Sequence, residues 1–438
     1  MQKERVAEIL LDMDAVSLNP TNPFKYATGM FSPIYTDCRV MTSYPKKRKI
    51  IVDLLVEHID KKIGRKNIDV IVGTAHSGVS LATYLAQRLQ MPMAYIRTTT
   101  KDHGKKRQIE GLLRKGDRVL LIGDIFSARM DIAISVEAIK KVGAKIVYCL
   151  TIFTDNLGFI EDFLEKEKIK YHALTNLKAL LLVASIKKKI TDEERERVRE
   201  WMKNPKNWDK IRRNEIEKKL KENKEKIAEI LLKIKAVTLN LKQPYRYVSG
   251  ILSPIYTDNR LLMSYPEEWK EVIDSMIYTI INKIGIQKVD VIAGTATAGI
   301  SHAAYIAERL GLPMIYVKSK VDEYGKFTRI EGHLNHDDEV LIIEDLISTG
   351  GSSLSSAQAI RENRAIVKNC LAIFTYEMEK AKRGFEEAKI TLTTLTDFST
   401  LVDVAVRKKY IKPEKKEIVL KWNKDPAGWE EKFKKMRK

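Results

Sequence analysis

Residues 340–352 read Val-Leu-Ile-Ile-Glu-Asp-Leu-Ile-Ser-Thr-Gly-Gly-Ser. Two adjacent carboxylates, Glu344 and Asp345, are followed by a turn of hydroxyls and glycines: Ser348, Thr349, Gly350, Gly351 and Ser352. Carboxylates accept hydrogen bonds from sugar hydroxyls. A small-residue turn leading into a helix aims several backbone N–H groups at one point, and such a nest binds phosphate. The combination suits a sugar phosphate and is far more specific than a Gly-Gly pair alone. Val340 to Ile343 predict a short strand, buried on both faces, that ends at the carboxylates. In an open α/β sheet, ligands bind where strands end in this way.

The rest of the chain must position that stretch. At 438 residues it exceeds one typical core, and 44% hydrophobic with 31% charged residues describes a folded globular protein. Cys38, Cys149 and Cys370 have neither disulfide-framework nor metal-ligand spacing, which points to a reducing compartment and no structural zinc. The charged N-terminus and short apolar runs predict a cytoplasmic protein without a membrane span. The net charge of +20 can steer anions, but much of it sits in glutamate-interspersed arms. Residues 203–226 hold ten Lys/Arg against five Asp/Glu, and residues 407–438 hold thirteen against five. Neither stretch interleaves aromatics for base stacking, so a solvated surface is favoured over a nucleic-acid site.

The chain is one unit written twice. Ser32 to Asp37 (Ser-Pro-Ile-Tyr-Thr-Asp) recurs as Ser253 to Asp258, an offset of 221 positions. Gly73-Thr74-Ala75 recurs as Gly294-Thr295-Ala296, and Ile109-Glu110-Gly111 as Ile330-Glu331-Gly332, at the same offset. Trp201, Pro205 and Trp208 match Trp422, Pro426 and Trp429. The expected domains are therefore residues 1–202 and 223–438, joined by a basic helical connector over 203–222. Within each repeat, apolar strands such as Val70 to Val72, Val119 to Ile122 and Ile146 to Phe153 alternate with helices. That alternation predicts a mostly parallel sheet flanked by helices, an α/β fold.

At these residues each repeat resembles bacterial-type orotate phosphoribosyltransferase, of the type I phosphoribosyltransferase fold. The carriers are Ser253 to Asp258, Gly294 to Gly299, Ile330 to Gly332, Glu344 to Ser352 and Ile373 to Tyr376, with Trp422 and Trp429. The resemblance implies transfer of ribose 5-phosphate from phosphoribosyl diphosphate to orotate, with Mg2+ carried mainly by the substrate and no side-chain metal cluster. It places the ribose hydroxyls on Glu344 and Asp345, the 5-phosphate on Thr349 to Ser352, and orotate by Ser348. The turn containing Thr295, Ala296 and Thr297 would contact diphosphate, with Ser253 and Tyr256 also among the substrate-binding residues. It further implies a mobile loop, Arg-x-x-x-Lys-x-His-Gly, whose cations stabilise the departing diphosphate.

The repeats have lost opposite parts of this machinery. Arg97, Lys101, His103 and Gly104 match the loop, whereas the second repeat has Asp322 and Tyr324 at the lysine and histidine positions. Conversely, Gly123-Asp124 and Arg129-Met130 stand where the second repeat has Glu344-Asp345 and Gly350-Gly351. The expectation is an intrachain pseudo-dimer with one composite site, Lys101, His103 and Arg97 acting on substrate held by the second repeat. The alternative is a non-catalytic regulator of the same fold that binds phosphoribosyl diphosphate.

Overall fold

The computed structural model describes residues 2–26, 28–75, 77–97, 108–125, 129–247, 250–319 and 329–437. They form two units, residues 1–211 and 212–438. The division falls inside the stretch expected to be the connector. A single helix, Pro205–Lys233, covers most of that stretch and continues past it.

Each unit is built on one six-stranded sheet. In the first, the spatial order is Ile109–Gly111, Met93–Ile96, Val70–Gly73, Arg118–Ile122, Lys145–Thr154, Lys170–Asn176. In the second it is Ile330–Glu331, Met314–Val317, Val291–Thr295, Glu339–Ile347, Ile366–Thr375, Thr391–Asp397. All neighbours are parallel except the short first strand of each, which is antiparallel at the edge. The α/β, mostly parallel fold class read from the sequence is the one observed.

Strand alternation explains the apolar runs. In the second unit, Val291, Ala293, Val340 and Ile342 face one cluster, with Ala357 and Ile360 of the helix Gly351–Glu362. Ile292, Leu341 and Ile343 face the other, with Met276 and Ile306 from the helices Pro266–Thr279 and Ala298–Leu310. With both faces covered by helices, the central strands must be apolar at every position. Trp422 and Trp429 are buried, and their indole N–H groups donate to the carbonyls of Leu252 at 3.1 Å and Ile418 at 2.7 Å. They are packing residues.

One boundary departs from expectation. The central strand does not stop at Ile343 but runs to Ile347, through both carboxylates. The cause is its outer neighbour, the ten-residue strand Ile366–Thr375, which keeps pairing as far as Ile347 with Thr375. No helix among the described residues is long and apolar enough to cross a membrane.

Candidate functional site

In the second unit the chain leaves its two central strands in opposite directions. Val291–Thr295 leads on to Met314–Val317 on one side, and Glu339–Ile347 to Ile366–Thr375 on the other. Such a switch point leaves a crevice at the carboxyl ends of the strands. Pairing between the central strands ends at Gly294 with Ile343, so Glu344 and Asp345 lie just beyond the inner partner. Gly299 draws the adjoining turn close: a Cβ there would meet the Ile343 carbonyl oxygen at 2.5 Å and the Glu344 Cα at 3.5 Å. The 294–299 turn and the carboxylates are thereby brought to one place.

The nest follows from Gly350. Its φ of +80° places it in the left-handed region as the cap of the helix Gly351–Glu362. A Cβ at that position would also stand 3.0 Å from Phe385 Cε2. No side chain among the described residues caps this helix start, which leaves its first N–H groups available. Thr349, Gly351 and Ser352 are exposed around it, and Ser348 is half-buried. This is the geometry an anion needs.

Glu344 is buried, with 5% of its surface exposed. Its Oε2 accepts from Ser353 Oγ at 3.0 Å and its Oε1 from the Asp345 N–H at 3.2 Å. Burial, followed by the neighbouring Asp345 charge, holds its carboxyl well above the usual range. Asp345 is likewise raised, by burial. Two desolvated carboxylates side by side are poised for hydroxyl donors or a cation, either of which relieves their repulsion. Their oxygens fit a hard ion such as magnesium. Among the described residues no cluster of three or more His, Cys, Asp or Glu gathers for a metal.

The other residues singled out from the sequence lie in different settings. Thr295 ends its strand buried, its Oγ1 without a hydrogen-bond partner among the described residues, and the Ala296–Thr297 peptide bond that follows is cis, with Thr297 exposed. Tyr256 is exposed and tilted against Tyr245, whereas Ser253 is fully buried and bonded to the Ile255 carbonyl at 2.8 Å. Ser253 therefore shapes the turn beneath Tyr256. Arg97, at the base of its loop, pairs with Glu110 at 3.4 Å, as Lys318 pairs with Glu331 at 2.7 Å in the second unit. Lys101 and His103, with Asp322 and Tyr324 opposite them in the repeat, lie outside the described residues.

Two residues escaped the sequence reading, Ser353 and Asn259. Asn259 is fully buried and its Nδ2 donates to the Asp345 carbonyl at 2.8 Å. The available signal was the repeat itself, since their counterparts are Ile132 and Cys38.

The first unit keeps the close glycine packing of the turn, while residues 126–128, the counterparts of Ile347 to Thr349, lie outside the described residues. Gly78 still packs tightly, a Cβ there falling 2.6 Å from the Ile122 carbonyl oxygen. Its central strand, however, stops at Ile122, and Gly123 supplies no carboxylate. Asp124 remains, buried, accepting from the Ile125 N–H at 2.8 Å.

The fold, the switch-point crevice and the carboxylates beside an anion nest define a phosphoribosyltransferase. A family model described as phosphoribosyl transferase domain matches residues 42–171. The orotate phosphoribosyltransferase of Coxiella burnetii is 51% identical over 204 residues, which cover 47% of this chain and 97% of that protein. That of Enterococcus faecalis is 48% identical over 204 residues, covering 47% and 96%. The crystal structure of orotate phosphoribosyltransferase from Aeropyrum pernix aligns with 42% of this chain and 99% of its own, at 25% identity and a TM-score of 0.37. The chain belongs to the orotate phosphoribosyltransferase family.

Proposed function

We propose that this chain transfers ribose 5-phosphate from phosphoribosyl diphosphate to orotate, forming orotidine 5'-phosphate and diphosphate for pyrimidine synthesis. The observation that carries this reading is Glu344 and Asp345 standing in the crevice beside the Gly350 nest. Here the nest N–H groups of residues 349–352 hold the 5-phosphate, and the two carboxylates accept from the ribose hydroxyls. Thr295, Ala296 and Thr297 face the diphosphate, and Ser348 and Tyr256 lie on the base side. Mg2+ carried by the substrate supplies charge neutralisation on the diphosphate oxygens.

The second repeat holds substrate but has Asp322 where the reaction needs a cation, and a carboxylate there repels diphosphate. Lys101 and His103 of the first repeat supply that cation, with Arg97 anchoring the loop base, giving one working site per chain. The complementary pattern of loss supports this assignment, since independent decay has no reason to spare opposite parts. The three cysteines, all free and buried, support a cytoplasmic setting.

Steady-state turnover of Lys101→Ala and Asp345→Asn tests the assignment. Each lowers kcat/KM by about a hundredfold or more, the scale of losing a charge contact made at the transition state. Wild-type turnover in Lys101→Ala overturns the composite site, and wild-type turnover in Asp345→Asn overturns the ribose assignment.

A further inference from the structure

The carboxylate pair is gripped from two sides by residues outside the nest. From the helix, the buried Ser353 hydroxyl donates to Glu344 Oε2 at 3.0 Å. From the turn Asn259–Ser264, the Asn259 amide donates to the Asp345 carbonyl at 2.8 Å. Both side chains are almost wholly buried, so neither is a surface contact formed in passing. Asn259 Oδ1, also buried, has no hydrogen-bond partner among the described residues.

The first repeat supplies an internal control. Where Glu344 has become Gly123, Ser353 has become Ile132 and Asn259 has become Cys38, both replacements buried. The Ser353 hydroxyl disappears together with the Glu344 carboxylate, whereas Asp124, the counterpart of Asp345, stays with Cys38 in place of the asparagine.

We infer that Ser353 and Asn259 are positioning residues for the transfer reaction, fixing Glu344 and Asp345 in the rotamer and register that the ribose hydroxyls require. The inference rests on the reading that these carboxylates bind ribose. A hydroxyl donated to Glu344 Oε2 leaves Oε1, which takes the Asp345 N–H, a further lone pair with which to accept, and opposes the drive of burial and Asp345 to neutralise the group. The Asn259 bond pins the backbone just where the strand has lost its inner partner.

The test uses the full chain, with KM for phosphoribosyl diphosphate, KM for orotate and kcat measured for Ser353→Ala, Ser353→Thr, Asn259→Cys and Glu344→Gln. Ser353→Ala and Asn259→Cys each raise KM for phosphoribosyl diphosphate about tenfold, the loss of one hydrogen bond to a charged or buried group, while KM for orotate stays put. Ser353→Thr, which retains the hydroxyl, restores most of the loss. An unchanged KM in Ser353→Ala, or a threonine no better than alanine, overturns the positioning role of Ser353; an unchanged KM in Asn259→Cys overturns that of Asn259. Glu344→Gln separates the layers: if it leaves KM for phosphoribosyl diphosphate unchanged, the ribose reading fails, whereas a raised KM there with normal Ser353→Ala sinks the positioning inference alone.

Discussion

The segment 339–351 of the second unit and its counterpart 118–130 in the first began as one sequence and now differ in kind. In the second, the strand runs nine residues to Ile347 and the chain turns through a left-handed Gly350 into a helix. In the first, the strand ends at Ile122, and Arg129 begins the helix where Gly350 would cap it. Yet Gly73 and Gly78, like Gly294 and Gly299, persist in both, because a Cβ at any of them would fall within 3.0 Å of another atom. Demands of packing were kept and demands of a ligand were dropped. The loss was also orderly. Removing Glu344 and Ser353 together, in favour of Gly123 and Ile132, leaves no buried group without its partner and so costs little stability.

The strongest way to break this comparison is to write the first unit's residue into the second. Gly350→Arg forces a side chain into a φ of +80° and towards Phe385. The left-handed conformation alone costs about 1–2 kcal/mol, and the side chain covers the N–H groups. KM for phosphoribosyl diphosphate should rise more than tenfold, with thermal stability measured alongside to separate strain from lost binding. The reciprocal control, Asp124→Asn, should leave turnover within about twofold. A large loss there would mean that the first unit also binds substrate.

Much of this was readable in advance. Buried parallel strands announce themselves as apolar runs, so Val340 to Ile343 and Val119 to Ile122 were found at once, and a repeat of 221 positions set the domain count. The strand's continuation to Ile347 was not readable, because carboxylates inside a strand look like its end; only the length of the neighbour at 366–375 extends it. Ser253 was read as facing substrate because its segment carries family resemblance, but a serine flanked by Pro254 and Ile255 turned inward to bond its own backbone. Ser353 and Asn259 stayed hidden because a polar residue supporting another polar residue has no periodic signature.

A smaller effect separates the two corresponding sites, at Glu344 and Gly123, through pH. Glu344 is raised by burial and by Asp345, so the folded protein holds its proton to higher pH than the unfolded chain. Stability then falls as pH rises from about 5 towards the raised value. Glu344→Gln should flatten that slope in the unliganded protein, by a few degrees of melting temperature at the alkaline end. Gly123 offers no such group, so a matching slope that survives Glu344→Gln would place its source elsewhere.

The smallest effect has the opposite sign and belongs to the first unit. His58 and His172 stack at 3.9 Å, with Tyr148 Oη 3.5 Å from His58 Nε2. Burial lowers both, and His172, further opposed by His58, is brought down to about 4. The second unit carries Thr279 and Thr393 at these positions. A histidine held below its unfolded value of about 6.5 stabilises the fold fully above that pH and less as pH falls towards about 4. Both rings are only half-buried, so solvent screens much of the effect. Replacing the pair by the second unit's threonines, His58→Thr with His172→Thr, should raise the acid-side melting temperature of the first unit by about 2 °C relative to its change at neutral pH. Equal shifts at both pH values would show that the stacked rings contribute packing alone and that the two units do not differ in their response to acid at this point.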